Sequence, residues 1–131
     1  MTNIDNNFKK IIDPPKDFLF GDELAKNKKY LDLVYDRVFS EIAKFLENKK
    51  DTKIQSCKLR GNTGLIELKT QNYEYGINIV FDKNFVNVAV NGKDVGTSEI
   101  HGAEINKETL SVSKTKVDLI SLKKEINKMI N

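Results

Sequence analysis

Residues 54–97 read IQSCKLRGNTGLIELKTQNYEYGINIVFDKNFVNVAVNGKDVGT, and their alternation decides the fold. Tyr73, Tyr75, Ile77, Ile79 and Phe81 alternate with Glu74, Gly76, Asn78 and Val80, the period-two pattern of a half-buried strand. Val86, Val88 and Val90 alternate in the same way with Asn87 and Ala89. The valines share a face with Tyr75, Ile77 and Ile79 only if an even number of residues connects the two runs. A two-residue Asp82-Lys83 turn or a four-residue loop satisfies that. A slip of one residue would send every valine to the wrong side. Asn91-Gly92 then signals a type I′ hairpin, whose two central positions both need positive φ. It is expected to set Val88 opposite Val95.

Reading backwards, a Gln71-Asn72 turn sets Leu68 opposite Tyr75 and Ile66 opposite Ile77. An Asn62-Thr63 turn between Gly61 and Gly64 sets Leu59 opposite Ile66 and Cys57 opposite Leu68. On the other face the same registers oppose Lys58 to Glu67 and Lys69 to Glu74. Unlike charges placed directly across a strand pair contribute about 0.2–1 kcal/mol each. Ile54 falls on the face opposite Cys57 and Leu59.

Helical signals flank this meander. Asp22 follows the apolar run Phe18-Leu19-Phe20 and Gly21, and reads as a helix N-cap. Leu31, Val34, Val38, Ile42 and Phe45 recur at three- and four-residue steps, widened by Leu24, Tyr35 and Leu46. This is one amphipathic helix whose stripe can cover a sheet. Near the C-terminus, Thr115 and Asp118 resemble a cap. Leu119, Leu122, Ile126, Met129 and Ile130 make the stripe of a final helix, with Lys123, Lys124 and Lys128 toward its end, where they oppose the helix dipole favourably. Leu110 and Val112 suggest a short strand. The expected fold is α+β: an antiparallel four- to five-stranded meander with a long N-terminal helix and a C-terminal helix packed on one face. Residues 1–20 read as an N-terminal arm or short helix around Phe8, Ile11 and Ile12, broken by Pro14-Pro15, and residues 21–131 as a single domain.

Composition narrows the function classes. The chain has 131 residues, enough for one core. The polar segment Met1–Lys10 has no apolar centre of a secretory leader, and no run approaches a membrane span, so a cytoplasmic protein is expected. Its single cysteine excludes an internal disulfide. The net charge of +3 is unevenly spread. Residues 22–60 hold ten Lys/Arg against seven acids, residues 61–106 three against six, and residues 107–131 six against three. The helical flanks are basic and the sheet is acidic. The abundance of Lys, Asn and Ile suits an AT-rich coding source, such as a low-GC bacterium, a phage or a mobile element.

No constellation for catalysis stands out. His101 is the only histidine. With Glu99 and Glu104 it falls short of the three or four well-placed ligands that metal sites use. Cys57 and His101 could form a nucleophile pair, but the register sends Cys57 to the apolar face, where a free cysteine acts as a small core hydrophobe. Gly61-Asn62-Thr63-Gly64 lacks the lysine and the strand-to-helix setting of a phosphate loop. No enzyme, cofactor or metal is expected.

Two binding classes remain. Lysine-rich helices and a basic isoelectric point favour nucleic acid. The near absence of arginine, with only Arg37 and Arg60, and the acids interleaved with the lysines count against it. The alternation also turns Tyr73 and Tyr75 toward the core, away from any stacking role. A protein partner fits better, because two helices on the apolar side leave the other sheet face open. That face centres on Gly76, Asn78, Asn87, Ala89 and Gly96. The expected partner-binding residues are Glu67, Glu74, Asn78, Val80, Phe85, Asn87 and Asn91. The strand after Asn91-Gly92 is expected to be an edge, guarded by Lys93 and Glu99, that can accept a partner strand or a second copy. The expected function is that of a small binding protein, of the inhibitor or immunity kind; the rival is a nucleic-acid-binding protein.

Overall fold

Alternation from Ile66 to Val90 lays an apolar floor, and one long helix is seated on it. The computed structural model describes residues 16–130. Strand β1 (Lys16–Phe20) runs into a short helix α1 (Gly21–Lys26) and the long helix α2 (Lys28–Glu47). Six strands follow: β2 (Lys53–Arg60), β3 (Thr63–Lys69), β4 (Glu74–Asp82), β5 (Phe85–Val90), β6 (Lys93–Asn106) and β7 (Ser111–Val117). Helix α3 (Leu119–Ile130) ends the described chain. All strand pairs are antiparallel, in the order β1-β6-β5-β4-β3-β2, with β7 also paired to β6. The α+β architecture is the expected one, with seven strands in place of four or five. Within the stretch read as an arm, Lys16–Phe20 is a strand on β6; the helix expected around Phe8, Ile11 and Ile12 lies outside the described residues.

Helix α2 touches both β2 and β7, which lie far apart in the strand order, so the sheet curls around it. Val34, Val38, Ile42 and Leu46 meet Ile66, Leu68, Ile77, Ile79, Phe81, Val86 and Val88 in the core. Phe39, outside the expected stripe, is buried as well, and its ring lies over Gly64. A Cβ at Gly64 would sit 2.4 Å from Phe39 Cε2. Tyr35 stacks on Phe81 with ring centroids 4.4 Å apart, and its hydroxyl donates to the Lys83 carbonyl at 2.7 Å. That bond braces the β4–β5 turn, where Lys83 adopts a φ of 54°. Burial, reinforced by Asp82 and Asp32, raises the Tyr35 hydroxyl above its ordinary pKa.

The central registers agree with the alternation: Leu68 faces Tyr75, Ile66 faces Ile77, Lys69 faces Glu74, and Ile77 and Ile79 face Val90 and Val88. The β4–β5 connection is a two-residue turn, at Lys83-Asn84 instead of Asp82-Lys83. Asn91 and Gly92 have φ of 50° and 83°, as a type I′ turn requires. Three local expectations are corrected. Gly61 takes the positive φ, so the β2–β3 turn is Gly61-Asn62, pairing Leu59 with Gly64, Cys57 with Ile66 and Lys58 with Leu65; Glu67 faces Ser56, not Lys58. A bulge between Ile54 and Ser56 then brings Ile54 to the inner side with Leu59. A second bulge sets Val88 opposite Gly96 instead of Val95 and turns Gly96 inward toward Leu122. Strand β6 is an edge along its first half only: Lys93–Glu99 pairs with β5 and with no other described strand, as expected, whereas its second half lies between β1 and β7.

The helices also differ in detail. The expected single helix breaks at Asn27, and Asp22 lies in the first turn of α1 instead of capping it. Asp118 caps α3, accepting from the Ser121 amide and hydroxyl, whereas Thr115 belongs to β7 and donates to Glu41. Leu110 is an exposed turn residue just before that strand.

The Phe39–Gly64 contact makes a sharp prediction. Gly64→Ala should destabilise the protein by about 1–3 kcal/mol, read as a lower urea midpoint, because the added methyl collides with a buried ring. Combining it with Phe39→Leu should restore part of that loss. A double variant less stable than both single variants would show that the ring is not the obstacle.

Candidate partner-binding face of the sheet

Both long helices pack on the concave side, so the convex side of β3, β4 and β5 carries the side chains that alternate outward. Leu65, Val80 and Phe85 are 38%, 40% and 45% exposed. Leu65 is paired with Asn78 and Val80 with Thr63, while Val80 faces Asn87 and Phe85 faces Asp82. Each of the three is therefore the diagonal neighbour of the next, and together they form an oblique apolar stripe across three strands. Leu65 was not among the expected site residues; its position three residues after the hairpin turn placed it outward, and that parity was the available signal.

Every expected binding residue reaches this face, but they are not equally free. Asn87 Nδ2 donates to Asp94 Oδ1 at 2.7 Å, Thr97 Oγ1 at 2.8 Å and the Gly96 carbonyl at 3.3 Å. It is a clamp that holds β6 across the bulge. Asn91 is likewise committed: its Oδ1 accepts from the Gly76 amide at 2.8 Å, and its own amide donates to the Gly76 carbonyl at 2.8 Å. Glu67 accepts from Ser56 Oγ at 3.1 Å. Asn78 is exposed, and its side-chain amide makes no hydrogen bond among the described residues. Ala89 beside it keeps the floor low, whereas Gly96 is absent from the face because the bulge turned it inward.

Charge divides the face. Glu67, Glu74, Asp82, Asp94 and Glu99 stand over β3 to β6, with Lys69 opposite Glu74, while Lys53, Lys58 and Arg60 rim the β2 side. Two shallow hollows meet at Leu65. One, about 460 Å³, is lined by Lys58, Arg60, Thr63, Gly64, Leu65 and Asn78. The other, about 340 Å³, is lined by Gln55, Leu65, Glu67, Glu74, Tyr75 and Gly76. An apolar ridge between a basic and an acidic hollow can orient a partner by charge as well as hold it by burial.

The residues weighed for chemistry are dispersed. Cys57 is exposed at the rim of the inner side, which corrects its expected burial; partial burial and the Glu47 carboxylate push its thiol above the ordinary value, away from the reactive thiolate. The exposed side chains of His101 and Glu99 on β6 lie 3.8 Å apart, Nδ1 to Oε2, separated by three strands from β2. Tyr75 is half-buried as expected, but Tyr73 is 66% exposed because pairing begins only at Glu74. Among the described residues, no three His, Cys, Asp or Glu side chains converge as a metal site, and no helix is long and apolar enough to cross a membrane.

No family model, curated protein or solved structure matches this chain.

The hydrogen bonds separate two asparagines that the alternation treats alike. Asn87→Ala should cost about 1–2 kcal/mol, because it strips three acceptors of their donor. Asn78→Ala should stay within about 0.5 kcal/mol. Equal urea midpoints for the two variants would contradict the clamp assigned to Asn87.

Proposed function

We propose that this chain is a small, non-enzymatic protein-binding domain of the inhibitor or immunity kind, and that it engages its partner through the convex sheet face. The observation that carries this reading is the oblique Leu65–Val80–Phe85 stripe. Isolated exposed apolar side chains are ordinary, but three contiguous ones on a rigid sheet, ringed by charge, have the layout of an anchor with a polar rim. Both neighbouring hollows are shallow and open, which suits a protein surface better than a small molecule. Asn78 supplies an uncommitted amide at the centre. The committed Asn87 and Asn91 contribute by holding the face rigid.

Position-specific photo-crosslinking in the native host tests the reading. A crosslinking phenylalanine analogue in place of Phe85 should give a discrete protein adduct. The same analogue in place of Ile120, which is 80% exposed on α3, should not. Ile120 is the more exposed of the two, so it controls for general stickiness. Equal labelling at both positions, or none at Phe85, would overturn the convex face as the binding surface.

The nucleic-acid reading has one observation in its favour. Lys44, Lys49 and Lys123 surround a hollow of about 650 Å³ between α2 and α3. Two of these lysines are already engaged, Lys49 with Asn127 at 2.9 Å and Lys123 over the Phe45 ring at 5.2 Å. A fluorescence titration with generic duplex DNA separates the classes. A nucleic-acid binder that neutralises several phosphates loses about 10³-fold or more in affinity between 50 and 200 mM salt. For this chain, we expect no saturable binding at either salt concentration.

A further inference from the structure

Strand β2 closes one end of the sheet, and among the described residues it pairs with β3 alone. Arg60 and Thr63 flank a two-residue turn and so form a hydrogen-bonded pair. The alternation of antiparallel bonds then directs the amides and carbonyls of Cys57 and Leu59 to the open edge. The two sides of the strand differ in chemistry. Its outer side carries Lys58 and Arg60 beside the Leu65 hollow. Its inner side carries Ile54, Cys57 and Leu59, none of them fully covered by α2. At the other end of the sheet, β1 and β7 both pair with the second half of β6, and β7 is latched to α2 through Thr115, whose hydroxyl donates to Glu41 at 3.2 and 3.1 Å.

We propose that a protein partner adds an extended strand to β2, and that this strand alternates acidic and apolar side chains. Its acids lie beside Lys58 and Arg60 on the convex side. Its apolar residues extend the row of Ile54, Cys57 and Leu59 on the concave side, completing cover that α2 leaves unfinished. Backbone pairing supplies affinity and the alternation supplies specificity. The same cations argue against a second copy as the occupant, because self-pairing of β2 would bring Lys53, Lys58 and Arg60 of two chains together. This inference rests on the protein-binding reading and adds the chemistry of the partner.

The single cysteine makes the edge directly readable. The probe is a short capped peptide alternating Glu and Val; its controls are the Lys-Val counterpart and the Glu-Val peptide with a central proline. The readouts are the rate of Cys57 alkylation by iodoacetamide and the exchange of the Cys57 and Leu59 amides. The Glu-Val peptide should slow both several-fold and saturably. The Lys-Val and proline peptides should leave both unchanged. In a Lys58→Glu/Arg60→Glu variant, with its circular dichroism unchanged, the preference should invert to the Lys-Val peptide. Equal protection by the Glu-Val and Lys-Val peptides, or none at millimolar peptide, would overturn the proposal. So would protection that rises with protein concentration alone, which assigns the edge to a second copy. Crosslinking at Phe85 reports on β5 and the convex face, so failure at the edge and failure of the binding reading are distinguishable.

Discussion

The fit of α2 into the curl of the sheet is the constraint on which the other features depend. Phe39 can lie against β3 only because Gly64 has no side chain there, and Tyr35 can stack on Phe81 only at that depth. Once the helix is this close, Val34, Val38, Ile42 and Leu46 fill the concavity, and the convex side is left without any described element to cover it. The open face is thus a consequence of one-sided packing, which antiparallel sheets tolerate when the outward residues are polar. The exposed stripe of Leu65, Val80 and Phe85 is the departure from that pattern, and the proposed partner contact rests on it.

Curvature needs a device, and the bulges supply it. Strand β6 is interrupted at its pairing with β5 and twice at its pairing with β7. Each bulge adds local twist and bends the ladder. This is how one 14-residue strand serves β5 along its first half and β1 and β7 along its second. Asn87 secures the first of these interruptions by bonding to residues on both sides of it, so a residue that looks like a ligand for a partner is consumed in holding the sheet.

The same geometry explains what was legible in the sequence. Side chains repeat every two residues along a strand, so a register error of two leaves every face intact. The β2–β3 pairing differs by that amount from the expected one because Gly61 takes the positive φ, and Leu59 still reaches the inner side. A bulge inserts one residue and flips the side chains beyond it. Ile54 and Gly96 sit beyond bulges, and both lie on the face opposite to the one their parity indicated. Bulges depend on pairing between distant segments, so local alternation carries no sign of them. Burial had a similar limit. Cys57 has the right parity but stands on the outermost strand, where α2 no longer provides cover, and parity does not report distance from a sheet edge. The seven outward residues of the candidate site were legible from parity alone; which of them were already committed was a matter of tertiary hydrogen bonds.

The charge distribution gains meaning once the strand order is known. The basic stretch 22–60 contains all of β2, so the sheet is not uniformly acidic. Moving from β6 to β2, the convex face passes from Asp94 and Glu99 through Glu67, Glu74 and its partner Lys69 to Lys53, Lys58 and Arg60. A face with a single sign of charge attracts a partner without orienting it, whereas a gradient does both. Leu65 lies where the gradient changes sign, between the two hollows and one strand in from the open edge. A strand docked on β2 would therefore place its neighbouring chain over Leu65, and burial of the stripe and pairing at the edge become parts of one contact.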